Sequence, residues 1–464
     1  MELSFEQELS FNKYIQGNNI FITGPGGSGK SALIKQIYEH ATQYERTIQV
    51  TAMTGCAAVL LNCKAKTLHS WAHIGLGNKI FEEITYKINK NKKAKAMWKN
   101  TDILVVDEVS MLSLKLFELL NAIGKKIRQN SRPFGGIQVI FSGDFYQLPP
   151  VGSREEPDTM RFCFESIYWN TIFTRESQIQ LRTIYRQTDN IYTNILNQIR
   201  EGKIKRSTIE VINQYINREK SEDTLVVKLY PIRSKVEQIN KTEMAKLESQ
   251  PNLFKLKFET ELEMSNSDKA RRLSINKSEL VFELEYMANN VMCEKELILK
   301  QGAQVMSSIN IKDDEDNLLV CNGSQGKIIA FDVETGFPIV KFNNGYNKLM
   351  KPHIWKSEKI PGLGVSQIPL ILSWALTIHK SQGVTLDNAE IDIGSNIFEC
   401  GQSYVALSRL RSLDGLYLKS FDVNKIRINK KVKAYYESLD LYEDCVKDLM
   451  PKAIQVAIPI QENV

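Results

Sequence analysis

The residues with the clearest chemistry lie in a glycine-rich segment near the N-terminus. Residues 24–31 read GPGGSGKS and fit the pattern G-x-x-x-x-G-K-[ST], between a β-branched run and a helix predicted to extend to about Tyr44. Such a loop binds phosphate through backbone N–H groups and a helix N-terminus, while its lysine reaches the β- and γ-phosphates and its hydroxyl ligates Mg²⁺. The alternative is a chance glycine-rich turn, which would not need a strand directly before it and a helix directly after it. The sequence therefore predicts a nucleoside triphosphate site at Gly24, Gly26, Gly27, Ser28, Gly29, Lys30 and Ser31.

An acidic pair and a glutamine extend this site. The apolar run 103–107 ends in Asp107, which suits Mg²⁺ bound through water, and Glu108 follows it as a candidate general base for the attacking water. A third apolar run leads into GDFYQ, where Gln147 is in position to sense the γ-phosphate. Alone, the acidic pair is more often a solvated strand end, and the glutamine a loop residue. Together with the glycine-rich loop, these residues predict ATP hydrolysis rather than binding alone.

Composition limits the class of protein without identifying it. The chain has 464 residues, 42% apolar and 25% charged, which is typical of globular proteins and excludes collagen-like, disordered and disulfide-rich chains. No stretch approaches the ~20 unbroken apolar residues of a membrane span. The formal charge of +6 permits a polyanionic partner without demanding one. Seven cysteines without C-x-x-C spacing, and an N-terminus without an apolar leader or arginine-rich transit segment, predict an intracellular protein of the cytoplasm or nucleus.

The order of apolar runs predicts an α/β fold. Four short β-branched runs alternate with helical segments, which is typical of a parallel sheet. These runs are residues 19–23, 47–52, 103–107 and 137–142. A second α/β pattern begins near Ile179 and resumes at the end of the chain. Between its parts, residues 326–355 read as short strands with Gly and Asn turns, which predicts a small inserted β-barrel.

A series of motifs, taken in order, carries a family resemblance. They read GPGGSGKS, TAMTGCAA, TLHSWAHIGLG, VVDEVSM, RPFGGIQVIFSGDFYQLPPV, LRTIYRQ, LKQGAQVM, NGSQGKI, WALTIHKSQGVTL and YVALSRL. With them the chain resembles the Pif (petite integration frequency) family of superfamily 1B DNA helicases, relatives of RecD, from about Leu3 to about Leu418. GDFYQLPPV and LTIHKSQGVTL are far more specific than a phosphate-binding loop alone.

The resemblance implies an architecture of two RecA-like P-loop NTPase domains that enclose ATP, with a small 1B insert and an SH3-like β-barrel 2B insert. The implied boundaries are 1–65 and 101–178 for domain 1A, 66–100 for insert 1B, 179–325 and 366–440 for domain 2A, 326–365 for insert 2B, and 441–464 for a C-terminal tail.

The resemblance also implies further nucleotide contacts. Gln7 matches the glutamine that reads adenine, although a residue so near the terminus also fits a frayed first helix. Arg186 and Arg409 match the arginines that reach the γ-phosphate from the second domain, where a planar guanidinium suits the spread charge of the transition state. Outside their motifs, the first would be a surface arginine and the second a structural ion pair. Gln382 and Gly383 match the segment that couples nucleotide to DNA.

A further set matches the motifs that contact the DNA strand. Its members are Thr54, His69, Thr377, His379 and Lys380. Insert 1B adds a lysine run that includes Lys92 and Lys93, with no acid from Ile84 to Asn100. Such a run is usually a solvated face, but beside a DNA channel it would grip phosphates or the duplex junction.

The function implied by the resemblance is that of an ATP- and Mg²⁺-dependent 5′→3′ helicase. It would act as a monomer on single-stranded DNA and single-strand/duplex junctions, in replication, repair or recombination, without a membrane. G-quadruplex DNA and RNA–DNA hybrids are further implied substrates. Two alternatives stay open: an ATP-gated single-strand-binding module without motor activity, and a P-loop phosphotransferase, which would not need Arg186, Arg409 or the HKSQG segment.

Overall fold

The structure, a computed structural model, describes most of residues 3–449. The positions outside the description within that span are 62, 76, 78, 188, 221–224, 274, 292, 313–317, 321 and 358–359. The chain divides into two units. Unit 1 comprises Met1–Ile204, Glu399–Tyr404 and Ile426–Val464, and unit 2 comprises Lys205–Phe398 and Val405–Lys425.

Unit 1 is built on one parallel sheet. Its strands are β1 (Ile20–Thr23), β2 (Ile48–Ala52), β3 (Lys66–Thr67), β4 (Ile103–Asp107), β5 (Gln138–Gly143) and β6 (Gln178–Gln180). They lie in the order β3-β2-β4-β5-β1-β6, and every pairing is parallel. Parallel strands end at one common edge, so the residues that follow β1, β4 and β5 come together there.

The described residues of unit 1 also form nine α-helices before residue 204, the first eight of which cover the two faces of this sheet. They are α1 (Phe5–Ile15), α2 (Lys30–Gln43), α3 (Gly55–Leu61), α4 (Leu68–Ala72), α5 (Phe81–Lys90), α6 (Lys92–Asn100), α7 (Leu114–Arg128), α8 (Trp169–Ile172) and α9 (Asn190–Glu201). Side chains alternate between the faces: in β1, Ile20 and Ile22 join the core with α1–α3, whereas Phe21 joins the opposite core with α4–α8. Burial on both faces explains why these strands read as continuous apolar runs.

The four predicted strands and the first predicted helix agree with the structure to within one residue at each end. The predicted start of domain 2A at residue 179 departs from it, because β6 pairs with β1 inside the first sheet. The chain then stays in unit 1 through α9.

Insert 1B also departs from its predicted boundary. Its first residues form β3, which pairs with β2 in the main sheet. Helices α5 and α6 bury Ile84, Ile88, Ala94 and Trp98 in the same core as α7. The segment is therefore continuous with the core of unit 1, and its lysines lie on the opposite, exposed faces of the helices.

A tight backbone contact joins α7 to the segment RPFGGIQ. Phe134 and Gly135 adopt left-handed backbone conformations, with φ of 49° and 67°. The carbonyl of Phe134 lies so close to Gly124 that a Cβ there would be 2.6 Å from the oxygen. From the last turn of α7, Arg128 donates to the carbonyl oxygens of Trp98 and Thr101, at 2.7 and 3.0 Å. Arg128 also donates to the Gly135 carbonyl oxygen at 2.7 Å, so one side chain of α7 joins the end of α6 to the segment.

Unit 2 contains a second parallel sheet and several antiparallel ones. Its strands are β7 (Val227–Tyr230), β8 (Asn252–Lys255), β9 (Lys257–Glu259), β10 (Glu296–Leu299), β11 (Gln304–Ser307), β12 (Ile311–Lys312), β13 (Leu318–Val320), β14 (Gln325–Phe331), β15 (Pro338–Phe342), β16 (Asn347–Leu349), β17 (His353–Lys356), β18 (Gly364–Gln367), β19 (Leu370–Leu372), β20 (Ala375–Thr377), β21 (Ala389–Ile393) and β22 (Leu416–Phe421). The parallel sheet has the order β20-β7-β21-β22. The helices are α10 (Arg206–Asn213), α11 (Arg233–Ala245), α12 (Asn266–Leu273), α13 (Lys277–Asn290) and α14 (Gln402–Leu407), the last of which spans a boundary between the units.

The predicted insert 326–365 supplies only part of the antiparallel region. One sheet has the order β16-β15-β14-β11-β19, and another has the order β17-β18-β9. Strands β9, β11 and β19 lie outside the predicted boundaries, because antiparallel pairing joins strands that are distant in the sequence: β11 pairs with β14 and β19, and β9 pairs with β18. The antiparallel region therefore extends from β8 to β19, and the SH3-like form stays a prediction.

The last described helix, α15 (Lys430–Leu449), belongs to unit 1. Val432, Tyr436 and Leu439 are buried in the same core as α4–α8. Domain 2A was predicted to continue to residue 440, whereas the chain from Ile426 onward belongs to unit 1. The predicted tail is helical as far as Leu449, and residues 450–464 lie outside the described residues.

None of the helices in the described part of the chain combines the length and apolarity needed to cross a bilayer.

We predict that Gly124→Ala destabilises the protein. In an exposed helix this change typically stabilises by about 1 kcal/mol. Here the added methyl meets the Phe134 carbonyl, so we expect a loss of about 1–3 kcal/mol in urea denaturation. Lys126→Ala, on the exposed side of the same helix, is the control and should be nearly neutral. A stabilised Gly124→Ala protein would contradict the close packing described.

Candidate functional site

The glycine-rich loop lies at the carboxyl end of β1 and leads into α2. Gly27 and Gly29 have φ of 88° and 83°, a conformation that side chains rarely adopt. A Cβ on Gly27 would lie 2.4 Å from the Cβ of Arg186, and one on Gly29 would lie 2.5 Å from Nε2 of Gln7. Glycine is therefore required at both positions, and the same close contacts bring Arg186 and Gln7 to the loop.

Lys30 folds back onto its own loop. Its Nζ donates to the carbonyl oxygens of Gly24 and Pro25, at 2.7 and 2.9 Å. Burial lowers the pKa of Lys30, and the negative charges of Asp144, Glu108 and Asp107 oppose that effect. The ammonium is thus held among weak acceptors, which phosphate oxygens would replace with stronger, charge-assisted bonds.

Two other loop groups complete the phosphate cradle. The Gly26 N–H donates to Oη of Tyr404 at 2.8 Å, so the backbone already offers a donor to an oxygen placed there. Ser31 lies exposed in the first turn of α2. A hydroxyl in that position fits a magnesium ligand.

The acidic pair lies at the same edge of the sheet. Asp107 ends β4 and is buried, and burial raises the pKa of its carboxyl against the opposing effects of the Ser142 hydroxyl and Lys30. Glu108 has a left-handed backbone (φ 57°, ψ 40°), which turns the chain sharply after the strand. Among the described residues, no three His, Cys, Asp or Glu side chains gather as a metal site. Ser31 and Asp107 could hold Mg²⁺ together with water and phosphate oxygens, because oxygen atoms are the ligands that this ion prefers.

Gln147 lies in the turn that follows β5. It is buried, and its backbone N–H donates to the carbonyl oxygen of Asp144 at 2.9 Å. The turn follows the strand that lies between β1 and β4, so the glutamine belongs to the same sheet edge as the loop and the acidic pair.

A buried ion pair, which the sequence interpretation missed, anchors this turn. Arg200 of α9 donates to both carboxylate oxygens of Asp144, at 2.8 and 2.9 Å, and the Asp144 side chain is fully buried. The guanidinium lies over the rings of Tyr146 and Tyr436, 4.5 and 5.1 Å from their centroids. The buried carboxylate raises the pKa of Arg200, although burial alone would lower it.

A sequence signal for Arg200 does exist. Helix α9 begins after the capping residue Asp189 and ends at Gly202. Its buried residues, Tyr192, Ile195, Leu196 and Ile199, follow the spacing i, i+3, i+4, i+7, and Arg200 occupies i+8 of that stripe. A charge on an apolar stripe indicates a buried partner.

Arg186 lies in a different unit from the one predicted. It was expected to reach the γ-phosphate from the second domain, but it belongs to unit 1. The reason is local, because the N–H of the preceding Tyr185 donates to the carbonyl oxygen of Gly27 at 2.8 Å. Arg186 is therefore held beside the loop by the backbone of its own unit.

Gln7 is well ordered by its neighbours. Ser4 and Gln7 form a reciprocal capping box at the start of α1. Gln7 is only 3% exposed, and its Nε2 donates to the Gly29 carbonyl oxygen at 3.4 Å. The competing interpretation, a frayed helix end, does not fit this packing.

In unit 2, Arg409 binds the turn that contains the HKSQG segment. It is only 2% exposed and donates to the carbonyl oxygens of Val405 and Ser381, at 2.9 and 3.4 Å. The turn follows β20, and the Thr377 hydroxyl accepts the Lys380 N–H at 3.2 Å. The structure thus brings together the predicted residues of this unit: Thr377, His379, Lys380, Gln382, Gly383 and Arg409. His379 and Lys380 are exposed.

The predicted strand-contacting residues of unit 1 occupy several elements. Thr54 caps α3, with its hydroxyl accepting the Ala57 N–H at 3.2 Å. Burial lowers the pKa of His69 in α4, which favours the neutral imidazole. Lys92 and Lys93 are exposed at the start of α6.

We predict that Arg200→Ala strongly destabilises unit 1. The substitution leaves the buried Asp144 carboxylate without its partner, which costs about 3–5 kcal/mol. Urea denaturation measures the loss, and the double variant Asp144→Asn/Arg200→Met should recover part of it because no charge is left unpaired. The exposed pair Arg182–Asp440, 3.4 Å apart, provides the control. Arg182→Ala should cost at most about 1 kcal/mol. Equal losses for the two single variants would contradict the role given to burial.

Residues 2–210 match the family model of the PIF1-like helicases. The ATP-dependent DNA helicase PIF1 of Emericella nidulans is 34% identical over 96% of this chain, which spans only 64% of that protein.

Two solved structures have the same fold. The Pif1 helicase of Candida albicans is 34% identical, with a TM-score of 0.72 over 95% of this chain and 100% of that one. A Bacteroides Pif1 bound to single-stranded DNA is 26% identical, with a TM-score of 0.63 over 96% of this chain and 98% of that one. The predicted α/β fold class with RecA-like domains and the family resemblance are both confirmed: the chain belongs to the PIF1-like helicase family.

Proposed function

We propose that the protein is a DNA-dependent ATPase that moves 5′→3′ on single-stranded DNA and unwinds duplex DNA at junctions. The observation that carries the proposal is the convergence of Lys30, Asp107, Glu108 and Gln147 on one edge of a parallel sheet. Family membership supports the substrate, since the relatives are named ATP-dependent DNA helicases. The DNA-bound Bacteroides relative supports single-stranded DNA as the track.

In the proposed hydrolysis step, the loop amides and Lys30 bind the phosphates. Ser31 and Asp107 would hold Mg²⁺, which neutralises phosphate charge when it is bound. Glu108 accepts a proton from the attacking water, and Gln147 responds to the γ-phosphate. Gln7, next to Gly29, is proposed to read the base.

Arg186 and Arg409 are proposed to stabilise the charge that develops on the γ-phosphoryl group. The position of Arg186 beside Gly27 supports its part. The role proposed for Arg409 is based on its ALSRL motif. Its hydrogen bond to Ser381 supports a link between Arg409 and the turn that contains Gln382 and Gly383.

The DNA-contacting residues are proposed from their motifs and exposure. His379 and Lys380 in unit 2, and Lys92 and Lys93 in unit 1, are exposed and suited to contact the strand. Thr54, His69 and Thr377 are proposed to shape the surfaces that the strand meets. Phosphate contacts of this kind make binding strongly dependent on salt.

Finer features are also proposed. The protein would act as an intracellular monomer in replication, repair or recombination. It would accept G-quadruplex DNA and RNA–DNA hybrids besides duplexes. Unwinding assays on duplex, G-quadruplex and RNA–DNA hybrid substrates at two salt concentrations test which of these substrates the protein accepts.

We predict that Lys30→Ala abolishes motor function. Loss of the ammonium should reduce DNA-stimulated ATP turnover by about 10²-fold or more, because a preorganised charge on the phosphates is removed. Binding of single-stranded DNA, measured by fluorescence anisotropy, should be almost unchanged. Lys35→Ala, an exposed lysine on the same helix, is the matched control and should retain turnover. Unwinding by the Lys30→Ala protein would disprove the assignment.

We predict that unwinding requires a 5′ single-stranded tail. Duplexes with a 5′ tail, a 3′ tail or blunt ends, each with a fluorophore–quencher pair, distinguish the directions. Only the 5′-tailed duplex should separate with ATP, because a motor must first load on the strand that it follows. Separation of the 3′-tailed duplex alone would reverse the proposed polarity. Failure on all three, with ATP turnover intact, would favour an ATP-gated binding module.

A further inference from the structure

The hydroxyl of Tyr436 connects two segments of the nucleotide site. It lies 2.6 Å from Oγ1 of Thr23, the residue that immediately precedes the glycine-rich loop. It also accepts the Phe145 N–H at 3.1 Å and donates to Oδ1 of Asp144 at 3.3 Å. Thr23 and Tyr436 are 413 residues apart in the chain, so this bridge exists only because α15 returns to unit 1.

The hydrogen-bond directions in this bridge are mutually consistent. A phenol has one donor and can accept two bonds. If Tyr436 donates to Asp144, its oxygen accepts the backbone N–H of Phe145 and the hydroxyl proton of Thr23. Burial and the Asp144 charge raise the pKa of Tyr436 far above its usual value, so the donor is retained at any ordinary pH. Every polar group in the bridge therefore has a partner.

The ring of Tyr436 is held independently of its hydroxyl. It stacks on Tyr146, with centroids 4.6 Å apart and planes inclined by 12°, and it lies under the Arg200 guanidinium. Removing the oxygen alone should therefore leave the packing of α15 in place. The loss of its hydrogen bonds would instead loosen the turn after β5, which carries Gln147. It would also remove a donor from Asp144, whose charge acts on Lys30.

We propose that Tyr436 is a positioning residue for ATP hydrolysis, whose hydroxyl ties the loop entry at Thr23 to the turn that begins at Asp144. This inference rests on the proposed ATPase function and adds the C-terminal helix to its site. The bridge sets the spacing between Lys30 and Gln147, the two groups proposed above to meet the γ-phosphate. It acts on hydrolysis more than on affinity, because it touches neither the base pocket nor the loop amides.

Helix α15 offers a matched control in the neighbouring residue. Tyr435 is also a tyrosine with a buried hydroxyl, which donates to Oε1 of Gln178 at 2.6 Å and accepts from the Trp169 indole at 3.2 Å. Tyr435→Phe therefore removes two hydrogen bonds from the same helix, against three for Tyr436→Phe, without touching Thr23 or Asp144. Tyr436→Phe releases the segments at Thr23 and Asp144–Phe145, whereas Tyr435→Phe releases Gln178 and Trp169.

The test compares Tyr436→Phe with Tyr435→Phe in steady-state ATP turnover on saturating single-stranded DNA. Tyr436→Phe should lower kcat about tenfold and leave KM for ATP within about twofold, as expected when a group supports the transition state rather than the ground state. Tyr435→Phe should keep kcat within about twofold while losing similar thermal stability. Equal kcat values for the two variants would overturn the inference. Thr23→Val removes the partner hydroxyl and should reproduce the Tyr436→Phe result.

Hydrogen exchange supplies a readout that does not depend on activity. Amides of residues 24, 26–29 and 144–147 should exchange faster in Tyr436→Phe than in Tyr435→Phe. Unchanged exchange in both segments would overturn the positioning role. A wild-type protein that turns over no ATP would instead contradict the proposed function, and the exchange comparison would still decide the role of Tyr436.

Discussion

The buried ion pair between Asp144 and Arg200 is the constraint on which the rest of unit 1 depends. A carboxylate without solvent contact requires a matched cation, and removal of either partner leaves a charge that the interior cannot solvate. The pair joins the end of β5 to α9, and the rings of Tyr146 and Tyr436 enclose it. Through Tyr436 the constraint extends to α15, so distant parts of the sequence must fold together before the sheet edge is complete.

The candidate catalytic residues come together at that edge of the sheet. Because β1, β4 and β5 are parallel neighbours in one sheet, the glycine-rich loop, the acidic pair and the Gln147 turn emerge side by side. The close approach of Gln7 and Arg186 to the loop is possible only because Gly29 and Gly27 lack side chains. In unit 2, Arg409 plays a comparable structural part by holding the turn that contains Gln382 and Gly383.

Features encoded locally were predictable from the sequence, and features that depend on long-range packing were not. The glycine pattern, the apolar runs and the acidic strand end determine local backbone shape, so the strands and the loop agree with prediction to within a residue. The motif of Arg186 indicated a role but could not show which unit holds it, because the Tyr185–Gly27 bond joins segments 158 residues apart (185 − 27). The return of α15 was also missed, since an amphipathic helix does not encode which core it will cover. Arg200 was detectable in principle as a charge on an apolar stripe.

The central claim is that ATP hydrolysis at this sheet edge drives movement along single-stranded DNA. Stopped-flow fluorescence on oligothymidylates of increasing length, each labelled at one end, measures that movement directly. The time for the protein to reach the label should increase linearly with oligonucleotide length at saturating ATP, and a protein trap should limit the signal to one passage. Arrival times independent of length, with ATP still consumed, would show nucleotide-gated binding without translocation and would contradict the claim.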